Sequence, residues 1–231
     1  MTSQRWMLAF CFSLASVLSP GESVTTSEAK KYTCRTFGSG VVQPFSGSSF
    51  YVRSNCPFTL TRFTHNRVEC DITTRRGDNG LLVHVEIIIN KVRTVVQNGS
   101  ILVEKKSVSL PYDHTYQHIF HYGIYTKLKS LLLPLSVTWH NVPGGIDSLR
   151  VELEQELSTD MTGLCGNNVP GDKKQLIKES VLPEDTCQTR DPVSTLNPVC
   201  QQFVSNTFEC LQGMAPQYNT SSVKRTFTAM K

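Results

Sequence analysis

A cysteine set between glycines, Gly163-Leu164-Cys165-Gly166-Asn167, concentrates more chemistry in less backbone than any other stretch of this chain. The glycines permit a tight turn, and the thiol between them can pin that turn through a disulfide. From residue 22 onward there are six further cysteines: Cys34, Cys56, Cys70, Cys187, Cys200 and Cys210. Their wide spacings fit no zinc pattern and read as disulfides made in an oxidising compartment. Seven is odd, so at least one thiol stays free, is capped, or bonds another chain.

Three other groupings invite a chemical reading. His114 and His118 lie four positions apart and share a face in a helix or a strand, a spacing that suits a metal, while His121 points away in a strand. No acid or thiol repeats beside them, and the interleaved Tyr116, Ile119, Phe120 and Tyr122 mark sheet packing, so structural or surface histidines are expected. Arg76-Gly77-Asp78 is an integrin-recognition tripeptide. Strands over residues 69–74 and 81–89 would set it on a hairpin tip at residues 75–80, where a partner could read it, or where it is an ordinary polar turn. Glu152, Glu154 and Glu156 alternate with apolar positions and read as the solvated face of a strand. No Gly-x-Ser-x-Gly elbow, phosphate loop or metalloprotease helix occurs, and no enzyme is expected.

The elements that must position these groups are strands. Leu81, Val83, Val85, Ile87 and Ile89 alternate with polar residues, which predicts a half-buried strand with those five on one face. Residues 92–96 and 101–103 flank Asn98-Gly99, the strongest short hairpin signal. Leu133, Leu135, Val137 and Trp139 form another stripe, with Pro134 pointing to an edge or a bulge. Pro143-Gly144-Gly145 turns the chain into a last stripe of Leu149, Val151, Leu153 and Leu157. Many short strands with regular turns predict an all-β, antiparallel sandwich stapled by disulfides. After residue 168 the strand periodicity fades into a short, Cys-containing, partly helical appendage, with one helix expected near residues 199–211.

Class and compartment follow from the ends and the charge. Arg5 and the apolar run of 13 residues at 6–18, before Ser19-Pro20-Gly21, read as a secretory signal peptide over residues 1–21. Thirteen residues are short of the roughly 20 that span a bilayer, and no membrane span is expected. Without Arg5 the chain has 22 basic and 19 acidic residues, a net charge of +3, too balanced to make nucleic acid the partner. Asn98-Gly99-Ser100 and Asn219-Thr220-Ser221 are glycosylation sequons suited to a secreted protein. Residues 212–231 lack cysteine and read as a flexible tail with a weak basic bias.

Taken with Cys34, Phe37-Gly38-Ser39, Pro44-Phe45-Ser46-Gly47, Phe50-Tyr51-Val52 and Cys56, the Gly-Leu-Cys-Gly-Asn run resembles the von Willebrand factor type D domain. The resemblance places that domain at residues 32–177. Cys187, Cys200 and Cys210 look like the opening of the eight-cysteine module that often follows it, here cut short at residues 178–211. It implies the disulfides Cys34–Cys165 and Cys56–Cys200, leaving Cys70, Cys187 and Cys210 unresolved, with an intermolecular bridge or a residual free thiol both open. Loops of 131 and 144 positions would each stabilise by about 5 kcal/mol on the chain-entropy model.

The family often binds calcium beside this motif, and the resemblance implies Asn167 as one ligand and Asp172 as a second, displaced one. The other expected positions are Ser46, Val169, Lys174 and Gln175, too poor in carboxylates for an ion that wants six to eight oxygens. No cofactor is therefore expected. Some members carry a Cys-Gly-Leu-Cys exchange motif, but position 162 is threonine, which removes the resolving thiol. The resemblance implies a secreted, non-enzymatic protein of the extracellular space or matrix. Its work would be matrix, mucus-like or coat assembly through contacts with extracellular proteins, with disulfide-linked self-association as one route. The alternative is a soluble binder or regulator of a growth-factor-like ligand, or of cell adhesion through the Arg76 hairpin.

Overall fold

The computed structural model describes residues 32–154, 157, 159–167 and 172–183, with the backbone of 194–195. Its strands are β1 (Tyr32–Phe37), β2 (Val41–Gln43), β3 (Phe50–Tyr51), β4 (Pro57–His65), β5 (Val68–Arg76), β6 (Leu82–Ile89), β7 (Val92–Gln97) and β8 (Ser100–Val103). They continue as β9 (Lys106–Ser107), β10 (Tyr112–His114), β11 (Gln117–Tyr122), β12 (Tyr125–Ser130), β13 (Leu135–Val142), β14 (Gly145–Leu153) and β15 (Ser194–Thr195). Among the described residues all strand pairings are antiparallel, and one helix, α1, covers Lys173–Ser180.

The sheet curls into two halves around one core. One half runs β10-β11-β12-β13-β14-β1-β2-β3-β15; the other is the meander β4-β5-β6-β7-β8-β9. A single bridge, Ile146 to Leu82, hydrogen-bonds β14 to β6 and makes the two halves continuous. Between them pack Leu128, Val137, Trp139, Leu149 and Val151 from the first half, and Ile72, Leu82, Val85, Ile87 and Ile89 from the second. Gln117 Nε2 donates to Thr94 Oγ1 at 2.6 Å inside this layer, so a buried polar pair also ties the halves together.

The meander is closed by two-residue turns with positive φ at both positions: Asn66-Arg67, Asn90-Lys91, Asn98-Gly99 and Glu104-Lys105. Such turns match the right-handed strand twist, which is why they join adjacent strands so tightly. Only Asn98-Gly99 carries the usual residue signal.

Two strand expectations are corrected. In β6 the ladder skips Val83, since Arg75 faces His84 and Arg76 faces Leu82. This bulge turns Leu82 into the core in place of Leu81 and Val83, while Val85, Ile87 and Ile89 keep their face. β13 is a central strand between β12 and β14; Pro134 sits just before it, and the bulge lies at His140/Asn141. The helix of this region is α1, and the stretch expected to be helical at 199–211 lies outside the described residues. Residues 1–31 and the tail at 212–231 also lie outside them.

Candidate functional site

The Gly-Leu-Cys-Gly-Asn run lies along the outer edge of β4. Arg62 and Thr162 exchange backbone hydrogen bonds at 3.0 Å each way, Leu164 N donates to Thr59 O at 3.0 Å, and Cys165 N donates to Leu60 O at 2.8 Å. The ladder between β4 and β5 skips Leu60, so this bulge frees the carbonyl that Cys165 takes up. Close approach explains the glycines. A Cβ on Gly163, whose φ is +96°, would stand 2.8 Å from Thr59 O, and one on Gly166 would stand 2.5 Å from Met161 O. Fully buried Cys165 is disulfide-bonded to Cys34 on β1, fastening the end of the domain to its first strand.

The same edge is covered further on. Asp172 caps α1 by accepting from Lys174 N at 2.9 Å, α1 buries Leu176 and Ile177, and Leu182 N then donates to Pro57 O. An otherwise open strand edge is thereby paired along much of its length.

The calcium donor set does not fit. Asn167 Oδ1 accepts from Met161 N at 2.9 Å and its Nδ2 donates to Thr159 O at 2.8 Å, so the amide holds its own loop together. Asp172 is occupied as a cap, and Ser46 offers only a neutral hydroxyl, 3.5 Å from Asn167 O. Lys173 Nζ stands 5.2 Å over the Phe50 ring and 4.0 Å from where a Gly47 Cβ would be, with burial lowering its pKa. A cation is thus built into the neighbourhood by the chain itself. Among the described residues no group of three His, Cys, Asp or Glu side chains could hold a metal.

The remaining cysteines sort differently. Cys56 is disulfide-bonded, and its partner is not among the described residues. Cys70 is a free thiol, 1% exposed, between Phe63 of β4 and Ile89 of β6. Burial first, and then the Asp71 charge, push it far above the ordinary thiol range, so it carries no thiolate for exchange. Of the two readings left open for Cys70, a bridge between chains or a free thiol, the structure has the free thiol. Cys187, Cys200 and Cys210 lie outside the described residues, as does Asn219, while Asn98 sits exposed on the β7–β8 tip.

The Arg-Gly-Asp tripeptide is divided between the interior and the surface. Arg76 continues the inward stripe of Cys70, Ile72 and Thr74 and is 8% exposed. Its Nη1 donates to Gly38 O at 2.8 Å and Gly80 O at 2.6 Å, and its Nη2 to Thr36 Oγ1 at 2.7 Å. Gly77 and exposed Asp78 stay near the tip, but the guanidinium that a receptor would need is turned inward.

The histidines do not converge. A turn separates His114 on β10 from His118 on β11; His118 faces Asp113 and His114 faces Gln117, so the two lie on opposite faces. His118 Nδ1 is 2.6 Å from Asp113 Oδ1, His114 packs between Tyr112 and Tyr116, and His121 is exposed.

The acidic stripe is corrected last. Glu154 is exposed and pairs with Lys129 at 3.7 Å, but Glu152 is 7% exposed and lies 3.5 Å from Lys127 and 3.4 Å from Arg150. Glu156 lies outside the described residues. Arg35, Lys127, Arg150 and Lys173 were missed by sequence reasoning. The first three become a group only once the strand register is known.

A sequence profile of the von Willebrand factor type D domain matches residues 34–173, from the first clasp cysteine to the start of α1. The chain belongs to that family. The chain is similar to Mucin-19 of Homo sapiens, 28% identical over 154 residues, and to Mucin-19 of Mus musculus, 29% identical over 191 residues. These matches cover 65% and 80% of the chain. Mucin-5B of Homo sapiens is 28% identical over 138 residues, 58% of the chain. The chain spans about 2% of the length of each of these relatives. Among the described residues no helix is long and apolar enough to cross a membrane.

Proposed function

We propose that this chain is a non-enzymatic extracellular module that builds matrix, mucus-like or coat assemblies through contacts with other extracellular proteins, including copies of itself. The observation that carries this reading is the clasp. Cys165, Asn167 and Asp172, the groups with most chemical potential, are all committed to holding the domain closed. Membership of the type D family, the mucin relatives and the buried disulfide support an extracellular setting. Asn98 on an exposed tip is positioned for glycosylation, which would show as a mass lost on enzymatic deglycosylation and in Asn98→Gln.

With Cys70 buried, covalent links between chains fall to the cysteines among Cys187, Cys200 and Cys210 that do not bond Cys56. Non-reducing electrophoresis and light scattering of the secreted chain test this. Oligomers that persist in Cys70→Ser and disappear when Cys187, Cys200 and Cys210 are replaced support covalent assembly. A strict monomer at every concentration, with saturable one-to-one binding of a protein ligand, would overturn assembly and favour the soluble regulator.

A further inference from the structure

The outward face of the first half carries a straight row of polar side chains. Lys127 on β12 faces Thr138 on β13, Thr138 faces Arg150 on β14, Arg150 faces Arg35 on β1, and Arg35 faces Gln43 on β2. Directly opposed residues share a face, so five strands contribute one continuous line, roughly 19 Å long at ordinary strand spacing.

Its charges do not balance. Three cations share one nearby carboxylate, Glu152, at 3.4 and 3.5 Å from Arg150 and Lys127. Two arginines directly opposite each other are destabilising unless an anion joins them. The Arg35 guanidinium makes no hydrogen bond or ion pair among the described residues, and Arg150 Nε, Thr138 Oγ1 and Gln43 Oε1 are likewise without partners. Burial, followed by the Arg150 charge, lowers the pKa of Arg35. Lys127 and Arg150 nevertheless keep 18% and 20% of their side-chain surface in solvent. At the Lys127 end its Nζ lies 5.2 Å from the ring of Tyr122, which is 53% exposed.

We infer that this row binds a sulfated glycan, its anionic groups on Arg35 and Arg150 and a sugar face on the Tyr122 ring. Guanidinium groups pair in a fork with planar or tetrahedral oxyanions. A linear row selects an extended ligand over a compact anion. Arginines one strand apart call for closely spaced charges, which a sulfated chain supplies and a glycan with one carboxylate per disaccharide does not. Tyr122, exposed beside the Lys127 cation, is an amphipathic platform for a sugar face. This binding is independent of the assembly proposed above.

The test uses the full secreted chain on an immobilised heparin octasaccharide at physiological salt. Arg35→Gln/Arg150→Gln should weaken binding at least about tenfold, the scale of one lost charge-assisted hydrogen bond. Tyr122→Ala, at an exposed position, should weaken it severalfold without changing the net charge. Lys224→Gln/Arg225→Gln in the tail should leave it unchanged, and hyaluronan should compete poorly. Unaltered melting temperatures for the variants keep the comparison valid, and Tyr122→Ala keeps it decisive if the arginine pair proves necessary for folding. Undiminished binding in a folded arginine variant, loss of binding in the tail variant, or equal competition by hyaluronan or single-stranded DNA would overturn the inference.

Discussion

Replacing Arg76 with methionine tests whether the Arg-Gly-Asp segment is a latch or an epitope. Methionine keeps the apolar stem and removes the guanidinium, with its bonds to Gly38 O, Gly80 O and Thr36 Oγ1 at 2.8, 2.6 and 2.7 Å. Hydrogen bonds from a charged donor contribute about 1.5–3 kcal/mol each, so three would sum to about 4.5–9 kcal/mol. Burying the guanidinium costs part of that back, and two carbonyls left without this donor restore some of the loss. A net destabilisation of about 4 kcal/mol follows, close to a thousandfold in the unfolding constant. Urea unfolding followed by fluorescence of fully buried Trp139 reads it directly. Exposed Asp78, replaced by alanine, should stay within about 0.5 kcal/mol. Cell attachment to the immobilised protein should be the same for Asp78→Glu and the natural chain. A loss below about 1 kcal/mol for Arg76→Met, or attachment that depends on Asp78, would refute the latch.

Three further outcomes follow from the same structure. Chelation with EDTA should move the thermal midpoint by less than about 2 °C, the shift produced by less than about 1 kcal/mol of linked calcium binding; a larger drop would mean a metal site exists despite Lys173. Iodoacetamide at mildly alkaline pH should leave Cys70 unmodified in the native protein and alkylate it after denaturation, as mass spectrometry would show. Hydrogen bonds from Arg93 hold the Glu86 carboxylate below its ordinary range, so its contribution is present above the unfolded carboxylate pKa and is lost as pH falls through the folded one. Glu86→Gln should therefore flatten the acid limb of a plot of melting temperature against pH, and an unchanged limb would contradict it.

Much of this fold is legible in the residues, and the exceptions have physical causes. Period-two stripes at Val85, Ile87 and Ile89, and again at Val137, Trp139, Leu149 and Val151, are direct records of a sheet with one face in the core. The bulge at Val83 was not legible, because inserting one residue into one strand leaves no mark except in its partner's register. Turns at Asn66-Arg67 and Glu104-Lys105 contain no glycine, so they lack the signal that Asn98-Gly99 carries. Arg76 could have been read: it keeps parity with Cys70, Ile72 and Thr74, and parity outweighs a three-letter motif. The charged row could not, since Arg35 and Arg150 are 115 positions apart and meet only through β-pairing. Lys173 was missed because attention to absent carboxylates says little about which ammonium arrives in their place.

The local turns of the meander have a bearing on the order of events during synthesis. β4 to β9 occupy Pro57 to Ser107 and contact one another through short loops, whereas the clasp joins cysteines 131 positions apart. Contacts close in sequence form faster than distant ones, and the amino-terminal part of a chain emerges first. Cys34, Cys56 and Cys70 therefore enter the oxidising compartment before Cys165, and during that interval any two of them could pair wrongly. Early closure of the meander withdraws Cys70 between Phe63 and Ile89, which shortens the time in which Cys34 or Cys56 can reach it. Acid-trapped intermediates in which Cys70 is bonded to Cys34 would contradict this order. On this account the hairpins act as a proofreading step, removing Cys70 from competition for Cys34 before Cys165, which follows β14, is made.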